Sequence, residues 1–300
     1  MLLESTQCRT PAPPGPTPMI KDPAAIRLMF ARIAPWYDAV NHVGSAGLDL
    51  LWRRRLLVET LGRRQGAPFS RALDLCCGTG DVTFLLARQA GADLLAGNQP
   101  AEAHAGALDD EWPAAIRVCQ AIAVPELRPS LAGAPRPEVI GLDFTAELLA
   151  IARRRAGAFA RSHAVQPRFV LGDAMNAPFP DAAFDVVTIA FGLRNLADWQ
   201  AGLREMARLL RPGGVLGILE FGRIVHPGLR RLFAVYFCGV LPAAGRLLTG
   251  TNAYAYLRDS CLAFPARRRV MAAIRNAGLR RIRARLLSAG IATVFTAVKQ

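Results

Sequence analysis

Apolar residues follow two rhythms along this chain. From Ala24 to Leu61 they recur at helical spacing, first Ile26, Met29, Phe30 and Ile33, then Leu48, Leu51, Trp52 and Leu56. That spacing puts one apolar stripe on each helix. Between the two sets lies Ala34-Pro35-Trp36-Tyr37-Asp38, where Pro35 predicts a break because its ring clashes with the preceding turn. From Ala72 onward the rhythm becomes short apolar runs separated by helical stretches. Ala72–Cys76, Val139–Asp143, Arg168–Gly172, Phe184–Ala190 and Val215–Glu220 read as buried strands. Helices are predicted from Val82, over Ala146–Phe159, and after the fourth strand through Leu210, with Arg211-Pro212-Gly213-Gly214 as a turn.

Strands alternating with helices predict an α/β fold, a parallel sheet with right-handed crossovers and helices on both faces. The end departs from this. A helix near Val270–Ala277 stops at Gly278, and the runs 281–287 and 292–298, joined at Gly290, read as a hairpin. The expected architecture is a Rossmann-like doubly wound sheet, mostly parallel with an antiparallel C-terminal strand, under a helical N-terminal cap over 24–61. Residues 1–23, with five prolines between Pro11 and Pro18, are expected to be a disordered tail, and 24–300 a single domain. Thr79 lies 64 residues before Asp143, where a nucleotide-binding unit places its acid about 20 residues on. The surplus of about 40 residues predicts an insertion over 91–136, with a short helix near Ala114–Ala123.

Composition narrows the classes. The 300 residues carry a net charge of +14, and Lys21 and Lys299 are the only lysines among 37 basic residues. Such a balance favours anionic membrane surfaces. It would also suit nucleic acid, but no basic block is interleaved with aromatics, so no nucleic-acid partner is expected. The runs Arg53-Arg54-Arg55, Arg153-Arg154-Arg155 and Arg267-Arg268-Arg269 read as solvated helix faces. Six cysteines without a CxxC pair and four dispersed histidines predict neither a zinc site nor a disulfide framework. No signal-peptide pattern and no run of 18 apolar residues are seen, so a cytoplasmic protein without a spanning helix is expected.

Candidate chemistry begins at Leu73-Asp74-Leu75-Cys76-Cys77-Gly78-Thr79-Gly80-Asp81, a strand entering a helix through a glycine turn. Gly78 and Gly80 allow close backbone approach, and the helix N-terminus offers free amides to an anionic group. The GxGxxG fingerprint is not met and no Gly-Lys-Ser/Thr follows, so a phosphate loop is disfavoured. Asp81 would repel a pyrophosphate but suits a zwitterion, and the methionine end of S-adenosylmethionine is one. Asp143 ends the second strand and could accept both ribose hydroxyls. Asp173 ends the third and could accept an adenine amino group. Ordinary capping by three independent acids is the competing reading.

Further motifs carry a resemblance. They are Ile33–Asp38 with Asn41, Gly141-Leu142-Asp143-Phe144, Gly172-Asp173-Ala174, Pro178-Phe179-Pro180-Asp181 and Phe184–Asn195. Leu210–Gly214, Leu219-Glu220-Phe221, Tyr254-Ala255-Tyr256-Leu257, Phe264-Pro265 and Gly290-Ile291 complete the set. Together they resemble the ubiquinone/menaquinone biosynthesis C-methyltransferase family, a class I methyltransferase group. The resemblance implies methyl transfer from S-adenosylmethionine to a ring carbon of a reduced polyprenyl quinone, demethylmenaquinol above all. It implies cofactor contacts from Asp74, Gly78, Thr79, Gly80, Asp143, Asp173, Ala174 and Ala190. Ala190 stands where many members have serine, Ser288-Ala289-Gly290-Ile291 replaces a Gly-Gly-Ile pattern, and Phe295 stands near a position often held by histidine.

Arg194 and Asn195, just past the fourth strand, are the expected catalytic pair: Arg194 stabilises an acceptor phenolate and Asn195 orients it or a bridging water. Tyr37, Asn41 and Tyr256 are expected to face the acceptor. No metal is required. The apolar stretch Leu229–Leu248 would wall a prenyl-tail channel, touch the bilayer, or pack as a plain cap. Peripheral contact with the inner face of the membrane is expected, and the reading admits a homodimer. The alternatives are a methyltransferase acting on another small phenolic or lipid acceptor, and a non-catalytic cofactor-binding scaffold of a quinone-synthesis complex.

Overall fold

A computed structural model describes residues 22–64, 67–96, 137–224 and 253–300, with Gly228, Tyr236 and Gly239. The tail to residue 21, positions 97–136 of the insertion with its expected helix, and nearly all of the 229–248 stretch lie outside the described residues.

Seven strands form one sheet: β1 (Arg71–Leu75), β2 (Glu138–Asp143), β3 (Arg168–Leu171), β4 (Phe184–Ala190), β5 (Leu210–Phe221), β6 (Leu279–Leu287) and β7 (Ala292–Lys299). Their spatial order is β3-β2-β1-β4-β5-β7-β6. Pairs from β3 to β5 are parallel, while β7 runs antiparallel to both β5 and β6. The C-terminal hairpin therefore enters the sheet with its second strand inside and its first at the edge. The predicted turn at Arg211–Gly214 is taken up within β5: register slips between Phe184 and Val186 against Leu210 and Val215, so the turn forms a bulge inside one long strand.

Strand alternation sorts the core. Leu73, Leu75, Val187, Ile189, Leu216 and Ile218 face α6 (Trp199–Leu209) and α8 (Arg267–Asn276). Ala72, Val186 and Leu219 face α3 (Leu48–Leu61) and α4 (Asp81–Ala96). Two buried faces require helices on both sides, the arrangement expected for a doubly wound sheet. α4 runs to Ala96, so the first residues of the expected insertion belong to a sheet-packed helix. α5 (Ala146–Phe159) begins and ends where the sequence pattern places it.

Over the C-terminal rim sit α1 (Pro23–Ile33) and α2 (Tyr37–Gly44), joined by a 3-10 turn at Ala34–Trp36 around Pro35. Asp22 caps α1 by accepting the Ala24 amide at 3.0 Å, and Pro23 fills the first helical position, where a missing N–H costs nothing. Of the stretch 24–61, only α1 and α2 form the cap. α3 is a layer helix whose Trp52, Leu56 and Leu57 are in the core. α7 (Ala253–Ala263) packs beside α1.

Candidate active site

Where parallel strands end, backbone amides of the following loops and helices converge, and ligands of open α/β sheets collect there. In this chain the ends of β1, β2 and β4 and the loop after β3 enclose a cleft, roofed by Pro23, Phe30 and Tyr37 of the cap. The glycine turn after β1 is strongly bent: φ is +52° at Cys76, +57° at Gly78 and +95° at Gly80. A side chain at Gly80 would lie 2.9 Å from the Phe84 ring and 3.0 Å from that of Phe169, so both conformation and space demand glycine.

Asp143 ties the cleft together. One carboxylate oxygen accepts the Gly78 amide at 2.9 Å, the other the Thr145 amide at 2.8 Å. Burial pushes its carboxyl upward, and those two amides pull it partly back. Asp143 lines the cleft, and a carboxylate has more acceptor sites than these two amides use, which suits ribose hydroxyls. Leu142, Ala174 and Met175 supply apolar walls beside it, as an adenine ring needs. Asp173, exposed at the rim, turns one oxygen back to the Met175 amide at 2.8 Å. Ala190 borders the cleft without a hydroxyl, so its side chain offers no polar contact. The residues present fit an S-adenosylmethionine.

Three of the expected cofactor residues do not themselves border the cleft. Asp74 is buried with its oxygens accepting from Thr83 (2.7 Å) and Thr188 (2.8 Å), and burial pushes its carboxyl from 3.8 up to about 6. It locks β1 to α4 and β4. Gly80 shapes the turn. Thr79 donates its hydroxyl to Asp38 of α2 at 2.6 Å, tying the cap to the glycine turn.

That tie belongs to an ion network the sequence pattern hid. Arg53, expected on a solvated face, is 8% exposed, and its Nε lies 3.5 Å from both Asp49 and Asp81. Arg155 donates to Asp81 at 2.8 Å, to the Thr79 carbonyl at 3.0 Å and to Asp38 at 3.3 Å. Burial would raise the Asp81 carboxyl, but the two guanidinium groups win and hold it below its ordinary value. The Asp81 charge, compatible by sequence with a zwitterionic ligand, is thereby compensated by arginine. The Asp49–Arg53 half of this arrangement has helical i,i+4 spacing, but the Asp81 half joins segments far apart in sequence and leaves no periodic signal.

Beyond β4 the backbone is strained: Phe191 has φ +57°, a left-handed conformation that a bulky side chain rarely adopts. Its carbonyl accepts from Arg194 Nη1 at 2.6 Å and from Asn195 Nδ2 at 3.3 Å. Its ring packs on Phe221 at 4.7 Å and beneath the Arg53 guanidinium at 5.4 Å. Arg194, expected to face the acceptor, is buried and does not line the cleft: Nη1 donates to Glu220 Oε1 at 2.8 Å. Burial would discharge it, and Glu220 holds it charged.

Asn195 does line the cleft, and its Oδ1 accepts from the Tyr256 hydroxyl at 3.3 Å. Tyr37 lines it from the cap. Burial raises the Tyr37 phenol, against the positive fields of Arg53 and Arg194, so at neutral pH it is a neutral donor. Asn41, one turn beyond Tyr37, does not reach the cleft. Phe295 lies in the sheet core on the α6 side, away from any acceptor.

The chain is 37% identical to a demethylmenaquinone methyltransferase of Deinococcus radiodurans, over 92% of this chain and 93% of the relative. It is 38% identical to the Thermus thermophilus protein of the same name, over 89% and 97%. The crystal structure of the cyclase SpnF shares the fold, with a TM-score of 0.53 at 18% identity over 91% of this chain and 94% of that one. Residues 19–299 match the ubiE/COQ5 methyltransferase family, and the chain belongs to it.

Proposed function

We propose that this cleft transfers a methyl group from S-adenosylmethionine to a ring carbon of a reduced polyprenyl quinone, with demethylmenaquinol as the acceptor. The observation that carries the reading is one continuous cleft. It is lined by Gly78, Asp143 and Ala174, suited to the cofactor, and by Tyr37 and Asn195 among apolar walls. The names of the Deinococcus and Thermus relatives support the naphthoquinol. They favour neither another small acceptor nor a non-catalytic scaffold.

The bound donor supplies an activated sulfonium methyl. What the chain adds is alignment and a polar environment for the acceptor. A ring carbon becomes nucleophilic when its neighbouring phenol ionises, which costs roughly 4 kcal/mol at pH 7 for a phenol of ordinary pKa. Tyr37, held neutral, can donate to the developing oxyanion. Tyr256 fixes the Asn195 carbonyl oxygen and the Phe191 carbonyl fixes its amide, so Asn195 presents one remaining N–H. Arg194 acts as a positioning residue: it holds the Phe191 carbonyl and adds a fixed positive field, paired with Glu220, behind both tyrosines.

No helix among the described residues is long and apolar enough to cross a membrane. Leu28, Trp36 and Val43 on the cap and Leu262 on α7 are exposed, Val43 by 79% and Trp36 by 58%. The cap that carries three of them also roofs the cleft through Pro23, Phe30 and Tyr37, which supports peripheral contact with the inner face of the membrane while a greasy acceptor enters. Anionic liposomes should sediment the protein, and Trp36→Ser with Val43→Ser should release it; equal sedimentation of that variant would remove the cap from this role. For the acceptor itself, loss of the gene should accumulate a menaquinone precursor lacking one methyl group. Accumulation of an unmethylated benzoquinone instead would redirect the assignment.

A further inference from the structure

The opposite rim of the sheet carries a second concavity. Gly62, Arg63 and Arg64 follow α3, Arg211 and Gly213 sit in the β5 bulge, and Arg281 and Arg283 lie on the edge strand β6. Leu279 pairs with Lys299 and Val215 with Val298, which places this groove level with the beginnings of β5 and β6, away from the cleft. Five guanidinium-bearing residues from three separate segments thus share one open groove.

Their partners are unequal. Arg64 and Arg211 both meet Asp185, whose other oxygen already accepts the Ser70 and Arg71 amides at 2.8 and 2.9 Å. Among the described residues no carboxylate pairs with Arg63, Arg281 or Arg283. Arg63 instead donates to the carbonyl of Arg281 at 2.7 Å, and its Nε is buried without a hydrogen-bond partner. Arg281 has φ +51° and sits where β6 slips register between Arg280 and Arg283. Burial, then the charges of Arg283 and Arg281, push the Arg63 guanidinium below its ordinary value. A basic edge strand discourages edge-to-edge pairing, which accounts for exposed arginines along β6. It does not account for drawing Arg63 toward them against like-charge repulsion, onto the carbonyl of Arg281, whose own backbone is strained.

We propose that this groove is an anion site for a phosphate-bearing ligand of diphosphate type, separate from the methyl-transfer cleft. Planar guanidinium forks match phosphate oxygens two at a time, and three uncompensated positive groups suit a multiply charged anion. The chemistry is shared by a soluble diphosphate and a lipid headgroup, so both serve as probes.

Calorimetric titration of the full chain with inorganic diphosphate at low salt should show saturable binding that weakens as salt rises. Arg63→Gln with Arg283→Gln should weaken it by about tenfold or more, leaving S-adenosylmethionine affinity unchanged. Arg283→Gln alone, at an exposed position, provides a second variant, with unliganded thermal unfolding as the folding control. Phosphatidylglycerol vesicles, compared with phosphatidylcholine ones, separate the sources. Diphosphate binding without vesicle binding identifies a soluble ligand, and loss of vesicle binding in the variants identifies a headgroup. Binding of neither probe, or equal binding by wild type and folded variants, overturns the proposal.

Discussion

Arg194 and Glu220 close on each other beneath the cleft: Nη1 lies 2.8 Å from Oε1, and the Arg194 backbone amide donates to Oε2 at 3.1 Å. The pair joins the end of β4 to the end of β5, and Nη1 also donates to the strained Phe191 carbonyl. Removing one partner of a buried pair leaves an uncompensated charge and costs about 3–5 kcal/mol. Glu220→Gln should therefore lower the unfolding temperature markedly and abolish turnover. The double variant Arg194→Met with Glu220→Leu should recover much of the stability while staying inactive, with cofactor affinity retained. Wild-type turnover in the double variant would reduce the pair to scaffolding.

Asp143 holds two loops through its two oxygens. Asn at this position keeps one acceptor and turns an N–H toward an amide. Hydrogen bonds to a charged group contribute about 1.5–3 kcal/mol each, so Asp143→Asn should weaken S-adenosylmethionine binding by about tenfold or more. Calorimetry with the cofactor checks this, and an unchanged affinity would separate Asp143 from the cofactor.

The Thr79–Asp38 bond at 2.6 Å is the direct link between cap and glycine turn. Thr79→Val should speed amide hydrogen exchange in α2 by roughly tenfold, as local opening becomes about 1–2 kcal/mol easier. Thr79→Ser should restore protection. Equal exchange in all three proteins would show that the cap is held by Arg155 and packing alone.

Asp74 predicts a pH dependence of stability. Its folded pKa, about 6, lies above the unfolded 3.8 because burial disfavours the charge more than Thr83 and Thr188 favour it. The stabilisation is then complete below the unfolded value and is lost as pH rises through the folded one. A shift of about two units corresponds to about 3 kcal/mol. Asp74→Asn keeps the shape and lets either threonine hydroxyl turn to accept. Between about pH 4 and pH 8, wild type should lose about that much stability relative to the variant. Parallel stability curves would contradict the assignment.

The sheet was legible because buried parallel strands write continuous apolar runs: Phe184–Ala190 falls where the pattern places it, and the other four parallel strands shift by little at their ends, apart from the early start of β5. Asp143 was legible from its place at a strand end. The β5 bulge was not, because Pro212, Gly213 and Gly214 are written like a turn whether or not the strand continues. Nor were the Glu220 partner of Arg194, the Asp81 partner of Arg53 and the Asp38 partner of Thr79, since contacts between distant segments leave no spacing to read. Glu220, ending an otherwise apolar strand, was the one available hint. A buried acid there requires a cation, and Arg194 stands just past the neighbouring strand.

The central claim is methyl transfer to a reduced quinone ring. The direct measurement is mass spectrometry of the quinone after incubating purified protein with methyl-labelled S-adenosylmethionine and chemically reduced demethylmenaquinone. The account predicts one labelled methyl on the ring, formed only from the reduced acceptor and lost in Tyr37→Phe with Asn195→Ala. Cofactor binding without label in the quinone, or equal transfer by that variant, would contradict it.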